Sequence, residues 1–313
     1  MILATVDVGS NTAKLLVADC DVSAWTFEPL YEERRHVRLG EGVDASGAIN
    51  SAALGRLLEA LEAFDQTARE LGADGLRIGA TSASRDATNI ADIQAAVDKK
   101  IGAEYAVIAG VDEARLSLLG ALSALPHITG PAVVIDIGGG STEFAGARSR
   151  TAELSVCVSL NVGSVRLTER CFPSQPPPAQ SVQTARDLIR TAISEAELPD
   201  LTGYALVGAA GTTGALARLH AGFDRWADAP ADPIHLTRDE VREWTDRLAA
   251  LTYAETLALN PNIMASRADI IAAGVLILDT AMNTLGFDAL TISPRGLRHG
   301  LMLDLLAQGR TSA

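Results

Sequence analysis

Residues 134–142 read VIDIGGGST, and residues 5–12 read TVDVGSNT. Each is a β-branched run closing on an Asp, one apolar residue, then Gly and small polar residues, so each predicts a strand that stops at a tight turn. Glycine there lets the backbone approach a ligand, and Ser10, Asn11, Ser141 and Thr142 add hydroxyls, an amide and their own N–H groups. N–H groups gathered at a turn cradle anions, and a carboxylate beside them can hold the cation that accompanies a phosphate. Asp7 and Asp136 occupy the same place in the two copies. The repeat predicts two related domains facing one phosphate chain.

Composition agrees with an enzyme of two modest domains. A chain of 313 residues is long for one hydrophobic core. Hydrophobic residues make up 48% and aromatic residues 4%, so the core is aliphatic, as α/β packing favours. A formal net charge of −13 excludes a general nucleic-acid or anionic-membrane surface. An anionic substrate must then be met by local N–H groups, a few Arg and Lys side chains and metal ions. Cys20, Cys157 and Cys171 are odd in number and lack ligand spacing, which predicts reduced thiols in a cytoplasmic protein. The N-terminus enters a strand with no basic region ahead of it, unlike a signal peptide. The apolar helix near 268–285 carries Asp269 and Asp279, so it reads as a core helix and not a membrane span.

Strands are predicted near 2–8, 13–20, 24–37, 75–80 and 105–109, with helices at 50–71 and 111–125 and helical turns through 85–100. The order then repeats: strands at 132–137, 142–147, 152–162 and 204–209, helices at 164–171 and 181–197, and a Pro-rich loop at 172–180. A Gly-Thr turn at 208–215 precedes helices near 237–251, 253–259 and 266–285. A strand at 289–293 and a helix at 296–308 close the chain. The predicted domains are 1–125, which a C-terminal helix at 297–313 would complete, and 126–296.

DVGSNT at 7–12, ATSASRDATN at 80–89, IAGVDEARL at 108–116, DIGGGSTE at 136–143, GAAGTTGAL at 208–216, RADIIAAG at 267–274 and PRGLRHGL at 294–301 occur in that order. Together they resemble the exopolyphosphatase and guanosine pentaphosphate phosphohydrolase family. The resemblance covers essentially the whole chain and implies an α/β fold. That fold has two duplicated ribonuclease-H-like, actin-like ATPase domains with an active-site cleft between them. It implies Mg²⁺ as cofactor, with another divalent ion or an added monovalent cation as alternatives. Inorganic polyphosphate or guanosine pentaphosphate is the implied substrate, and a homodimer is one assembly compatible with it. Longer family members carry a helical C-terminal extension, so the expected substrate track here is shorter.

By resemblance Glu113 is the catalytic carboxylate that orients or deprotonates water at a terminal phosphorus. From position alone it could equally be a first-turn carboxylate favouring its helix dipole. Asp136 and Glu143 flank the second turn and by resemblance hold Mg²⁺ or position the bridging water, while the alternative makes Asp136 a turn acceptor and Glu143 a strand residue. Asp7 either reaches a metal through water or braces its turn. The phosphate-binding set is Asp7, Gly9, Ser10, Asn11, Arg85, Gly138, Gly139, Gly140, Ser141, Gly211 and Thr212. Arg85 stands out because a guanidinium forks onto phosphate oxygens and keeps its charge, although pairing with a nearby carboxylate explains its position as well. Lys14, Arg34, Arg35, Arg38 and Arg166 are weaker cationic candidates. Gly208, Gly211, Thr212 and Thr213 form a third cradle before a helix N-terminus. His36, His127, His220, His235 and His299 show no metal spacing and read as surface or structural residues.

Three functions fit this pattern. One is metal-assisted hydrolysis of terminal phosphate from polyphosphate, or the same chemistry on guanosine pentaphosphate. The second is an ATP-dependent small-molecule kinase, and the third a non-catalytic nucleotide or phosphate sensor.

Overall fold

The structure, a computed structural model, describes residues 1–149, 152–228 and 232–311, the side chains of 309–311 excepted. Residues 312 and 313 of the expected C-terminal helix lie outside it. The chain divides into two compact units, Met1–Gly120 with the segment from Gly296 onward, and Ala121–Arg295.

The first unit begins with a meander, β1 (Ile2–Val8), β2 (Thr12–Asp21) and β3 (Thr26–His36), followed by α1 (Val43–Ser46) and α2 (Ser51–Glu70). Then come β4 (Leu76–Ala80), α3 (Ser82–Asp86), α4 (Ile90–Ile101), β5 (Tyr105–Val107) and α5 (Gly110–Ser123). The sheet order is β3-β2-β1-β4-β5, with β1, β4 and β5 parallel. Strand β2 is continuously apolar from Leu15 to Ala18 because both of its faces are covered there. Leu15 and Val17 join the core that contains Leu57, Leu61 and Phe64 of α2. Leu16 and Ala18 pack with Met302, Leu303 and Leu306 from the chain's last helix.

The second unit repeats the plan. It contains β6 (Ala132–Ile137), β7 (Thr142–Ala147), β8 (Leu154–Leu160), α6 (Ser164–Cys171), α7 (Ala179–Glu195), β9 (Ala205–Ala209) and α8 (Ala210–Ala221). It continues through β10 (His235–Thr237), α9 (Arg238–Ala249), α10 (Tyr253–Leu259), α11 (Pro261–Met264), α12 (Ile271–Leu285) and β11 (Ala289–Ile292). The last helix, α13 (Leu297–Thr311), belongs to the first unit. The order β10-β11-β9-β6-β7-β8 is the first sheet's order with one antiparallel strand, β10, added at the edge. Helix α12 is buried from Ile271 to Met282, and its Asp279 is tied to Arg186 of α7 at 2.5 Å. An apolar helix carrying a charge is thus a core helix whose charge is paired. Among the described residues no helix is long and apolar enough to cross a membrane.

Two expected elements are corrected. The Gly-Thr turn at 208–215 is largely helix, because Ala210 takes a positive φ of 68° straight after extended Ala209 and turns the chain at once into α8. The helix expected from 266 starts at Ile271. Residues 265–270 are turns, and within them Arg267 donates to the carbonyl of Gly211 at 2.6 Å.

Within the first unit α5 and α13 cross with no space for a side chain. A Cβ on Gly120 would lie 2.1 Å from the carbonyl oxygen of Gly296, and one on Gly300 would lie 1.9 Å from that of Leu116. Both obstacles are backbone and cannot swing aside. Gly300→Ala is therefore expected to cost at least about 3 kcal/mol, read as a lowered urea midpoint.

The N-terminal part of α13 is also tied to edge strand β3. Glu32 accepts from Arg298 and from His299, each at 2.9 Å, and Gly296 donates its N–H to His299 Nδ1. Nδ1 is thereby the acceptor, so the ring proton sits on Nε2 and points at Glu32. Burial alone would raise the Glu32 carboxyl, but the His299 hydrogen bond and the Arg298 charge outweigh it and hold the group at about 2. A carboxyl depressed on folding stabilises the protein above its unfolded value, and loses that contribution as pH falls through its folded value. Because the side chain is 40% exposed, solvent screening trims the gain to about 1–2 kcal/mol. Glu32→Gln should lower stability by that amount at pH 7. The gap to the unmodified protein should close in acid unfolding curves between pH 4.5 and about 2.

Candidate functional site

In the first unit three loops leave the same edge of the sheet, at the carboxyl ends of parallel β1, β4 and β5. Val8 pairs with Ala80 in register, and Ile108 donates its N–H to the Ala80 carbonyl. The turn at 9–11, helix α3 with Arg85 and helix α5 with Glu113 follow those ends. This is the edge where ligands of parallel α/β sheets bind.

The turn closes through the Gly9 N–H to the Thr12 carbonyl at 3.1 Å. The carbonyls of Ser10 and Asn11 are drawn back by the N–H groups of Gly40 and of Val37 and Arg38. In a trans peptide the N–H opposes the preceding C=O, so the Asn11 N–H points away from that segment. Ser10 is buried, and its Oγ has no hydrogen-bond partner among the described residues. A buried hydroxyl without a partner beside an outward N–H suits an anion. Asp7 is held by Lys14 of β2 at 2.8 Å. Lys14, ranked low from sequence, thus neutralises the carboxylate at the head of this cradle.

Glu113 is 7% exposed, in the first turn of α5, and Arg85 donates from Nη1 to its Oε2 at 2.5 Å. The same Nη1 lies 3.0 Å from the Ile108 carbonyl. Both readings of Arg85 made from sequence meet here: it stands at the strand ends, and it is paired with a carboxylate, that of Glu113.

The second unit builds the same turn with different side chains. Gly138 donates to the Ser141 carbonyl at 2.9 Å, as Gly9 does to Thr12. The start of α6 grips the loop from behind: Ser164 donates to the Gly138 carbonyl, Val165 and Arg166 to that of Gly139, and Arg166 Nε to that of Gly140 at 2.7 Å. With those three carbonyls facing α6, the N–H groups of Gly139, Gly140 and Ser141 point away from it, side by side. A Cβ on Gly163 would lie 2.5 Å from the Gly139 and Gly140 backbone, so the grip depends on glycine there.

Asp136 and Glu143 are register partners on antiparallel β6 and β7 and are 6% and 1% exposed. Ser159 of β8 donates to Glu143 Oε1 at 2.6 Å. The register of Asp136 with Glu143 matches that of Asp7 with Lys14. One copy therefore pairs its Asp with a cation and the other sets it beside a second carboxylate. Two buried carboxylates side by side repel unless a cation or a proton joins them. Among the described residues no cluster of three or more His, Cys, Asp and Glu is placed to hold a metal. A two-carboxylate set fits Mg²⁺, which keeps waters and takes phosphate oxygens for its remaining positions.

The third cradle adjoins the second. Thr212 in the first turn of α8 donates to the Ile137 carbonyl at the end of β6, 3.2 Å away. Positive φ at Ala210 followed by helical Gly211 gives a turn at a helix N-terminus whose shape suits an anion. Arg267 is buried behind it on the Gly211 carbonyl, and its guanidinium lies 4.8 Å from the Trp226 ring. Burial and the neighbouring Arg218 lower Arg267 to about 10, so it stays charged at neutral pH. Sequence reasoning quoted Arg267 inside a motif without giving it a role, and nothing in the sequence marks Ser159, which lies on another strand.

The Ppx/GppA phosphatase family model matches residues 16–308. Exopolyphosphatase 2 of Mycobacterium tuberculosis is 36% identical over 97% of this chain and 98% of its own length. Exopolyphosphatase 1 of Mycobacterium leprae is 33% identical over 98% and 90%. An exopolyphosphatase from Cytophaga hutchinsonii superposes with a TM-score of 0.89 at 25% identity, covering 98% of each chain. The Aquifex aeolicus Ppx/GppA member superposes with a TM-score of 0.79 at 25% identity, over 99% and 98%. The two units are thus duplicated actin-like domains, and the chain belongs to the Ppx/GppA phosphatase family.

Proposed function

We infer that this protein is an exopolyphosphatase, which releases orthophosphate from the end of inorganic polyphosphate. The observation that carries the reading is the duplicated Asp-headed cradle with opposite second residues, Lys14 in one copy and Glu143 in the other. The first suits a bare phosphate. The second suits a phosphate that brings a divalent cation.

In this reading water attacks the terminal phosphorus while the bond to the bridging oxygen breaks, giving orthophosphate and a chain one unit shorter. Glu113 orients the water and accepts its proton, and Arg85 holds the terminal phosphate through a guanidinium fork. Ser10, the Asn11 N–H and the N–H groups of Gly139, Gly140 and Ser141 bind phosphate oxygens, and the first turn of α8 binds another phosphate. Asp136 and Glu143 would hold Mg²⁺, which when bound neutralises charge on the phosphate oxygens. Recognition is short-range, because a protein of formal charge −13 repels a polyanion at a distance.

The test is incubation with Mg²⁺ and long-chain polyphosphate, guanosine pentaphosphate, or ATP with small-molecule acceptors, followed by product identification. Orthophosphate released singly from polyphosphate is the expected result. Release only from guanosine pentaphosphate would move the substrate to the nucleotide. Phosphorylated acceptor, or no product from any substrate, would overturn hydrolysis in favour of a kinase or a sensor.

A further inference from the structure

The contact between Arg85 and Glu113 sets two proposed roles against each other. Arg85 Nη1 is shared between the Glu113 carboxylate at 2.5 Å and the Ile108 carbonyl at 3.0 Å, and the two side chains are only 19% and 9% exposed. A guanidinium whose Nη1 is held by a carboxylate and a carbonyl must give up those contacts before that nitrogen can join a fork onto a phosphate. A carboxylate that accepts from a guanidinium is stabilised in its charged form and is a poorer acceptor for a water proton.

We propose that Arg85 masks Glu113 until a terminal phosphate claims the guanidinium, so that the substrate itself uncovers the base. The proposal rests on the hydrolase reading of the site and adds its regulation. A phosphate terminus can outbid the carboxylate because it offers Arg85 two oxygens and more negative charge, while Ser10 and the Asn11 N–H lie at the same sheet edge to share it. Glu113 is released when the phosphate is seated and water activation is needed. Without phosphate it stays neutralised. Arg85 is then a positioning residue for the base as well as a binding residue for the phosphate.

A double-mutant cycle tests this with inorganic tripolyphosphate in EDTA, where binding is read by calorimetry without metal-dependent turnover. Glu113→Gln replaces the charged competitor for Arg85 with a neutral one and should tighten tripolyphosphate binding at least about fivefold, roughly 1 kcal/mol. In an Arg85→Met background the same change should alter affinity by less than about twofold, since no masked guanidinium remains. Equal tightening in both backgrounds would reduce the effect to plain charge repulsion and overturn the mask, as would no tightening in either. Carbon-13 NMR of the Glu113 carboxylate, assigned by its loss in Glu113→Gln, keeps the test sound if Arg85→Met fails to fold. Saturating tripolyphosphate must shift that resonance, and an unmoved signal overturns the proposal. An unmodified protein that hydrolyses polyphosphate but fails the cycle loses the mask alone. One that shows the coupling but releases no orthophosphate with Mg²⁺ loses the hydrolase reading alone.

Discussion

Glu113→Gln is expected to lower polyphosphate hydrolysis by about 10²–10⁴-fold, the range a general base contributes, while leaving the fold in place and phosphate binding at least as tight. Gln has the same shape as Glu and still accepts one hydrogen bond, so α5 keeps its first turn and Arg85 keeps a neighbour. It cannot take a proton at neutral pH. The measurement is single-turnover hydrolysis of polyphosphate at saturating Mg²⁺, beside a binding isotherm for the same variant. A folded Gln variant with near-normal turnover would remove Glu113 from the chemistry. A variant that loses binding together with turnover would make it a phosphate-site residue instead.

The strands that end in TVDVGSNT and VIDIGGGST were legible because their sequence violates strand continuation in the same way twice, and the two sheets repeat one order. The helices with one apolar stripe, such as α2, were legible for the same kind of reason, since their period shows in the chain. Less visible was anything fixed by contacts distant in sequence. The start of α8 depends on positive φ at Ala210, a residue type that gives no hint of that conformation. Glu143 accepts from Ser159 on the next strand, and Arg85 donates to Glu113 on another helix. His299 read as scattered, yet it is buried against Glu32, far away in the chain. Motif spacing places a side chain on an element. Lys14 and Glu143 stand at the same spacing after Asp7 and Asp136 in the sequence, but only the register of β1 with β2 and of β6 with β7 sets each of them directly across from its Asp.

Removing one carboxylate from the second cradle should raise the Mg²⁺ requirement about 10–100-fold for Asp136→Asn or Glu143→Gln, taking the loss typical of an altered metal shell as the guide. The reason lies in the register pair. Asp136 and Glu143 are both buried and are register partners, and like charges brought close together carry a cost that a divalent cation lowers on binding. Neutralising either one lowers that cost in the metal-free protein and weakens attraction for the ion, so both effects act in the same direction. The metal-free variants should therefore be as stable as the unmodified protein or more so, although they bind Mg²⁺ less well. Ser159→Ala, which removes the hydroxyl 2.6 Å from Glu143 Oε1, should weaken Mg²⁺ less than either carboxylate change, since the charge remains and only its orientation is loosened. In the first cradle Lys14→Met exposes Asp7 without creating a carboxylate pair, so it should leave the Mg²⁺ requirement within about twofold and weaken phosphate binding instead. Mg²⁺ titrations of hydrolysis, with Mn²⁺ binding followed by electron paramagnetic resonance in the absence of substrate, separate these cases. Unchanged titrations in both carboxylate variants would put the ion elsewhere, and a Lys14→Met variant that shifts the Mg²⁺ curve as far as Asp136→Asn would assign the metal to the first cradle.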